Sequence, residues 1–105
     1  MNSKHLLGRQ GETAAASFLI QNDYQILEQN YRYLKAEVDI IALKNSCLVA
    51  VEIKTRSSDF FGAPETFLKP KQQQRIVNAI DYYVKQNNLT IEVRFDIISV
   101  LKQGL

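Results

Sequence analysis

The stretch from Ala36 to Arg56, AEVDIIALKNSCLVAVEIKTR, holds three carboxylates and a lysine at spacings that suit phosphodiester hydrolysis: Glu37, Asp39, Glu52 and Lys54. Carboxylates are hard oxygen ligands, so Asp39 and Glu52 are candidates to hold one or two Mg²⁺ (or Mn²⁺) ions. Such ions orient a scissile phosphate, acidify a bound water and stabilise the charge that develops on cleavage. Lys54, two residues after Glu52, either positions the water or offsets charge on the phosphate. Glu37 either pairs with Lys54 or adds a ligand. Glu12 joins the set if the helix that carries it packs over the same end of the sheet. The bland alternative is a solvated, charged strand end, and Glu-x-Lys alone does not decide between the two. For Glu12 the bland alternative is a boundary glutamate reaching solvent.

Two strands must position this set. AEVDIIALK and CLVAVEIKTR are rich in Val, Ile and Leu, and Asn45-Ser46 between them is turn chemistry. A two-residue loop there fixes an antiparallel register by counting outward. Lys44 then faces Cys47, Ile40 faces Val51, Asp39 faces Glu52 and Glu37 faces Lys54. Residues opposite one another share a face, as do residues two apart on one strand. The four ionisable groups therefore share a face with Ile41, Leu43, Leu48 and Ala50. Val38, Ile40, Ala42, Val49, Val51 and Ile53 form the other face. Strands apolar on both faces are normally covered on both. Three carboxylates at the edge of such a sheet repel one another and lose hydration, which a divalent cation or Lys54 relieves. A bulge would shift the register.

The remaining elements follow from periodicity. Leu6 to Gln21 reads as a helix with Leu7, Ala14, Ala15, Phe18 and Leu19 as its apolar stripe and Ser3 as a candidate N-cap. Gly8 and Gly11 weaken its first turns by roughly 1 kcal/mol each relative to Ala, which is tolerable where something approaches closely. Tyr24 to Tyr33 reads as a first strand, and Leu34-Lys35 as the turn into the second. The segment 57–70, SSDFFGAPETFLKP, is a long loop, and Phe60-Phe61-Gly62 is either a movable flap or a plug for the core. Pro70 suits the first turn of a helix from Lys71 to Gln86, with Ile76, Val77, Ile80, Tyr83 and Val84 buried. Asn87-Asn88 closes it. Ile91 to Leu101 is a last strand, with Arg94 and Asp96 on one face as a structural ion pair or as edge charges. The order helix, three strands, helix, strand makes a mixed sheet with helices on its faces. A parallel crossover joins the third strand to the last.

Composition sets the outer limits. A length of 105 residues suits one domain, spanning residues 1–105, with one core. No apolar run approaches the roughly 20 residues of a membrane helix, and the first residues lack the apolar core of a signal peptide. Cys47 is the only cysteine, which excludes an intrachain disulfide and makes a cytoplasmic location the default. His5 is the only histidine, which argues against histidine-rich metal sites and against Ser-His or Cys-His catalysis. A net charge of +2 permits a nucleic-acid partner without requiring one. Arg9, Arg32, Lys35, Arg56, Lys71 and Arg75 are the candidates for phosphate contacts.

Five segments together, LLGRQGETAAASFL, NYRYLKAEVDIIAL, LVAVEIKTR, FFGAPE and VRFDIISV, resemble the YraN family of small uncharacterised bacterial proteins. The likeness runs from Leu6 to about Val100 in the ordered set G-R-x-G-E, N-Y-R, E-x-D, V-E-x-K-T-R and R-F-D. That family is similar to the restriction-endonuclease-like PD-(D/E)xK nucleases, among them Holliday-junction resolvases. The resemblance implies an α/β, restriction-endonuclease-like fold, with a central mixed β-sheet flanked by helices. It implies Glu12 as the helix carboxylate, Asp39 as the central metal ligand, Glu52 as the second ligand and Lys54 as the catalytic lysine. Two positions depart from the pattern: Ala36 stands where the family usually has Gly, and Val38 where the superfamily has Pro. The expectation is a Mg²⁺-dependent endonuclease hydrolysing DNA, with branched or flapped DNA as its substrate and a homodimer as an open question. A non-catalytic nucleic-acid-binding module on the same scaffold is the alternative, and a scaffolding protein with an internally satisfied acidic cluster is a third.

Overall fold

The computed structural model describes residues 3–57 and 69–102. Phe60-Phe61-Gly62 lies outside them. Six elements follow in order: α1 (Ser3–Gln21), β1 (Gln25–Tyr33), β2 (Ala36–Lys44), β3 (Cys47–Ser57), α2 (Pro70–Gln86) and β4 (Glu92–Lys102). The strands form one sheet in the order β1-β2-β3-β4. β1–β2 and β2–β3 pair antiparallel, and β3–β4 pair parallel over the whole length of both strands. The sheet is thus the expected mixed one, with β4 added beside β3 by the crossover through α2, and the architecture is consistent with a restriction-endonuclease-like fold.

Local chemistry accounts for the joints. Asn45 and Ser46 both take left-handed φ, 49° and 63°, as a two-residue hairpin loop of this hand requires. Asp23 (φ 68°) and Asn88 (φ 52°) end α1 and α2 in the same backbone region. There Tyr24 N–H bonds to Leu19 C=O at 3.0 Å, and Leu89 N–H to Val84 C=O at 2.9 Å, which satisfies carbonyls that the helices leave open. Pro70 sits at the start of α2, where its missing N–H costs nothing.

The core lies in two layers, one on each side of the sheet. Ile40, Ala42, Val49 and Val51 pack with Leu19 of α1. Ala36, Val38, Ile41, Leu48 and Ala50 pack with Ile76, Ala79, Ile80 and Tyr83 of α2. Three details differ from the periodicity. First, α1 docks on a narrow face made by Gly11, Ala15 and Leu19, so that Ala14 is exposed and Phe18 is 55% exposed. Second, Ala79 takes the buried place on α2 expected for Val77, which is 43% exposed. Third, Val38 packs under α2 with Ile41 rather than sharing a face with Ile40. Strict alternation therefore fails between Val38 and Ile41, and Asp39 sits in the break.

No helix among the described residues is long and apolar enough to cross a membrane.

Candidate active site

β2 and β3 part company where the ionisable residues begin. Their ladder runs from Lys44–Cys47 to Ile40–Val51, as the two-residue loop requires, and goes no further. The rungs expected next, Asp39–Glu52 and Glu37–Lys54, are not formed. β3 instead continues alongside β4, where Glu52 is level with Ile97 and Lys54 with Ser99. β2 bends away with β1, where Glu37 is level with Arg32. The divergence opens a gap lined by side chains, and Asp39 reaches into it: its Oδ2 accepts the Ile53 N–H at 2.7 Å. A carboxylate thus replaces the backbone carbonyl that a continuing ladder would have offered.

Asp39 and Glu52 still come together, as the hairpin implied. Each acts on the other's titration: hydrogen bonding with Glu52 lowers the Asp39 carboxyl, and the Asp39 charge raises Glu52. Burial raises the pKa of both, and each is affected by neighbouring carboxylates as well. Glu52 is pushed up to about 7, by burial first and then by Asp39, with Lys54 opposing. For Asp39, the Ile53 N–H and Lys54 hold the rise back. Two acids this close favour holding one proton between them. Lys54 Nζ lies 3.6 Å from Glu52 Oε1, and both side chains are mostly covered, at 22% and 15% exposed.

Glu12 approaches from α1 on the turn beside Gly11. Its carboxyl is raised by burial and by the charges of Asp39 and Glu37, with Arg9 opposing. The close approach has a steric cause. A Cβ on Gly11 would fall on the Thr55 side chain, so only glycine lets α1 lie this near β3. Glu37 goes elsewhere than expected: it pairs with Arg32 at 2.9 Å across β1 and β2, not with Lys54. Among the described residues no three Asp, Glu, His or Cys side chains gather into a ready metal cage. Asp39 and Glu52 are the most strongly linked pair, with Glu12 and Glu37 close enough to act through their charge.

Cations frame this acidic floor. A cavity of about 520 Å³ is lined by the acids Glu37, Asp39 and Glu52 together with the cations Lys35, Lys69, Lys71 and Arg75. Lys71 and Arg75 are exposed on the first turns of α2. Arg9 is exposed on α1, and Arg32 is exposed but committed to Glu37. Arg56 lies half-buried on β3 and donates to the Thr55 carbonyl at 3.0 Å. Lys69 was not among the sequence candidates. The signal was present in Lys69-Pro70-Lys71, since cations flanking a helix-starting proline sit at the mouth of whatever that helix end faces. Arg94 and Asp96 form the expected ion pair on β4, with N···O distances of 2.9 Å, and Arg94 also reaches the Tyr24 hydroxyl at 3.0 Å. Its partners are structural.

Comparison with known proteins matches the chain over residues 11–100 to the uncharacterised protein family UPF0102. A UPF0102 protein of Christiangramia forsetii is 53% identical over 96 residues, covering 91% of this chain and 81% of the relative. One from Flavobacterium psychrophilum is 50% identical over 97 residues, covering 92% and 82%. One from Chlorobium phaeobacteroides is 39% identical over 102 residues, covering 96% and 80%. These matches agree with the resemblance to a small uncharacterised bacterial family, and their descriptions name no activity.

Proposed function

The chain belongs to the uncharacterised protein family UPF0102, and from its site we propose that it is a divalent-metal-dependent endonuclease that hydrolyses phosphodiester bonds in DNA. One observation carries the proposal. Two mostly covered acids, Asp39 and Glu52, influence each other's charge at the point where two strands diverge, with Lys54 beside Glu52 and four cations lining the same cavity.

The donor set fits Mg²⁺ or Mn²⁺. Mg²⁺ is commonly held by one or two carboxylates and completes its shell with water and substrate phosphate, so a third protein carboxylate is not needed. Asp39 and Glu52 would hold the ion, and Glu12 would add negative charge from α1. When bound, the ion supplies Lewis acidity at the phosphate and a more acidic water. The chain's own residues do the rest. Ile53 N–H fixes the Asp39 carboxylate in one orientation. Lys54 stands next to Glu52, where it offsets charge or orients a water. Lys35, Lys69, Lys71 and Arg75 bring a phosphate chain over an acidic floor that would otherwise repel it.

Incubation of labelled branched and linear DNA with Mg²⁺ or Mn²⁺ tests the reading. Wild type should cleave, and Lys54→Ala should lose cleavage while keeping its melting temperature and its DNA affinity. Cleavage unchanged in Lys54→Ala would overturn the assignment. A non-catalytic nucleic-acid-binding module is the second reading, favoured by the lack of a three-carboxylate cage among the described residues. It requires metal-independent binding and no cleavage in any of these assays.

A further inference from the structure

Leu34 occupies the tip of the β1–β2 hairpin in a way that ordinary turn chemistry does not explain. It is 87% exposed, and its φ is 55°, the left-handed region. That is the first of the two turn residues between the Tyr33–Ala36 rung, a position that glycine normally fills. A branched apolar side chain there is unfavourable in backbone conformation and in hydration. The turn carries it nonetheless, beside polar and charged neighbours.

Its surroundings are those of the candidate site. A second cavity, of about 420 Å³, is lined by Tyr33, Leu34, Lys35, Ala36, Arg75 and Asn78. Lys35, Ala36 and Arg75 also line the cavity that Asp39 and Glu52 line, so the two cavities are neighbours with shared walls. Behind the tip, Tyr33 stacks on Tyr82 with ring centroids 4.4 Å apart, which stiffens the wall. An apolar tip on a rigid hairpin, flanked by cations and one cavity away from paired carboxylates, is the arrangement of a side chain that wedges between bases while cations hold the phosphates.

We propose that Leu34 is a base-unstacking wedge, and that the cavity beside it receives a nucleotide at a point where DNA stacking is interrupted, as at a flap, a nick or a junction. The proposal rests on the nucleic-acid reading above and adds which DNA is preferred and by what contact. Continuous duplex gains little from the wedge, because opening an intact step costs stacking. At an interruption that cost is already absent.

The test uses Leu34→Gly with Ca²⁺ in place of Mg²⁺, so that binding is read without hydrolysis. Glycine suits the left-handed φ, so the melting temperature should hold or rise. Affinity for a flap or four-way junction should fall roughly tenfold, within the range for losing one base-stacking contact, and affinity for continuous duplex should not change. A 2-aminopurine at the branch point should brighten on binding wild type and not on binding Leu34→Gly. Equal affinity of both proteins for branched DNA would overturn the wedge while leaving the nuclease reading intact. An equal loss on branched and continuous DNA would also overturn it, assigning Leu34 to general binding. Failure of wild type to bind any DNA at low salt would overturn both.

Discussion

Asp39 Oδ2 accepts the Ile53 N–H at 2.7 Å in the place where the β2–β3 ladder stops. One side chain therefore ends a ladder and presents its carboxylate to Glu52. The structural and chemical roles of Asp39 separate by substitution. Asp39→Asn keeps an oxygen for Ile53 and loses the charge. Asp39→Ala leaves that N–H without its acceptor, which costs about 1–3 kcal/mol where the donor is buried. Denaturant melts should rank Asn above Ala by about that amount, with both inactive. Equal stability of the two would mean that the bond contributes nothing to the fold.

Glu52 makes folding depend on pH in a definite direction. Its carboxyl is raised from the ordinary 4.5 to about 7 in the folded chain, so the native state binds more protons than the unfolded state between those values. Stability is then greatest below the unfolded pKa and falls as pH rises through about 7. Divalent metal competes for the same oxygens, so its affinity should rise over the same interval. Melting temperatures across that range, without metal, should decline in wild type and flatten in Glu52→Gln. A parallel decline in both would place the titration elsewhere.

Gly11 offers a test in which two effects oppose. In an exposed helix Gly→Ala adds roughly 1 kcal/mol of stability. Here the added methyl meets Thr55, and overpacking of this kind costs about 1–3 kcal/mol, so the sum should be destabilising. Gly11→Ala should also carry Glu12 away from Asp39 and weaken metal binding. Thr55→Gly in the same chain frees the space and should restore the metal affinity of the Gly11→Ala variant. A stabilising Gly11→Ala would contradict the close packing of α1 on β3.

Much of this site was legible in the sequence. The two-residue loop at Asn45-Ser46 fixed which residues of β2 and β3 face one another as far as Ile40–Val51, and it placed Asp39 near Glu52. What it could not carry was the end of the ladder. Counting assumes that pairing continues, whereas β3 follows β4 and β2 follows β1, so Glu37 finds Arg32 instead of Lys54. Val38 lies on the face opposite to the one alternation predicts for the same reason, since alternation assumes an unbroken strand. Periodicity finds Ala15, Leu19, Ile76, Ile80 and Tyr83 on the buried faces of the helices, and it misses Gly11 and Ala79, whose small size lets the sheet approach closely. Gly11, Ala15 and Ala79 are buried, whereas Phe18 and Val77 are largely exposed. The place of Lys69 in the cavity lining depends on where the start of α2 points, a tertiary fact that spacing does not carry.

Salt dependence should report which cations meet phosphate. Each duplex phosphate neutralised contributes about 0.9 to the slope of log affinity against log salt. Lys71→Ala with Arg75→Ala should flatten that slope by about 2. Arg32→Ala should change it less, because Arg32 is already paired with Glu37 at 2.9 Å. A larger effect from Arg32 than from the α2 pair would move the interface away from the cavity over Asp39.

The most direct measurement is a calorimetric titration of Mg²⁺ and Mn²⁺ into wild type and Asp39→Asn, above the pH at which Glu52 loses its proton. Wild type should give a saturable heat for one or two ions. Asp39→Asn should bind at least about tenfold more weakly, as loss of a direct ligand requires, with its melting temperature preserved. The same isotherm from both proteins, or no saturable heat from wild type, would contradict a metal site at Asp39 and Glu52.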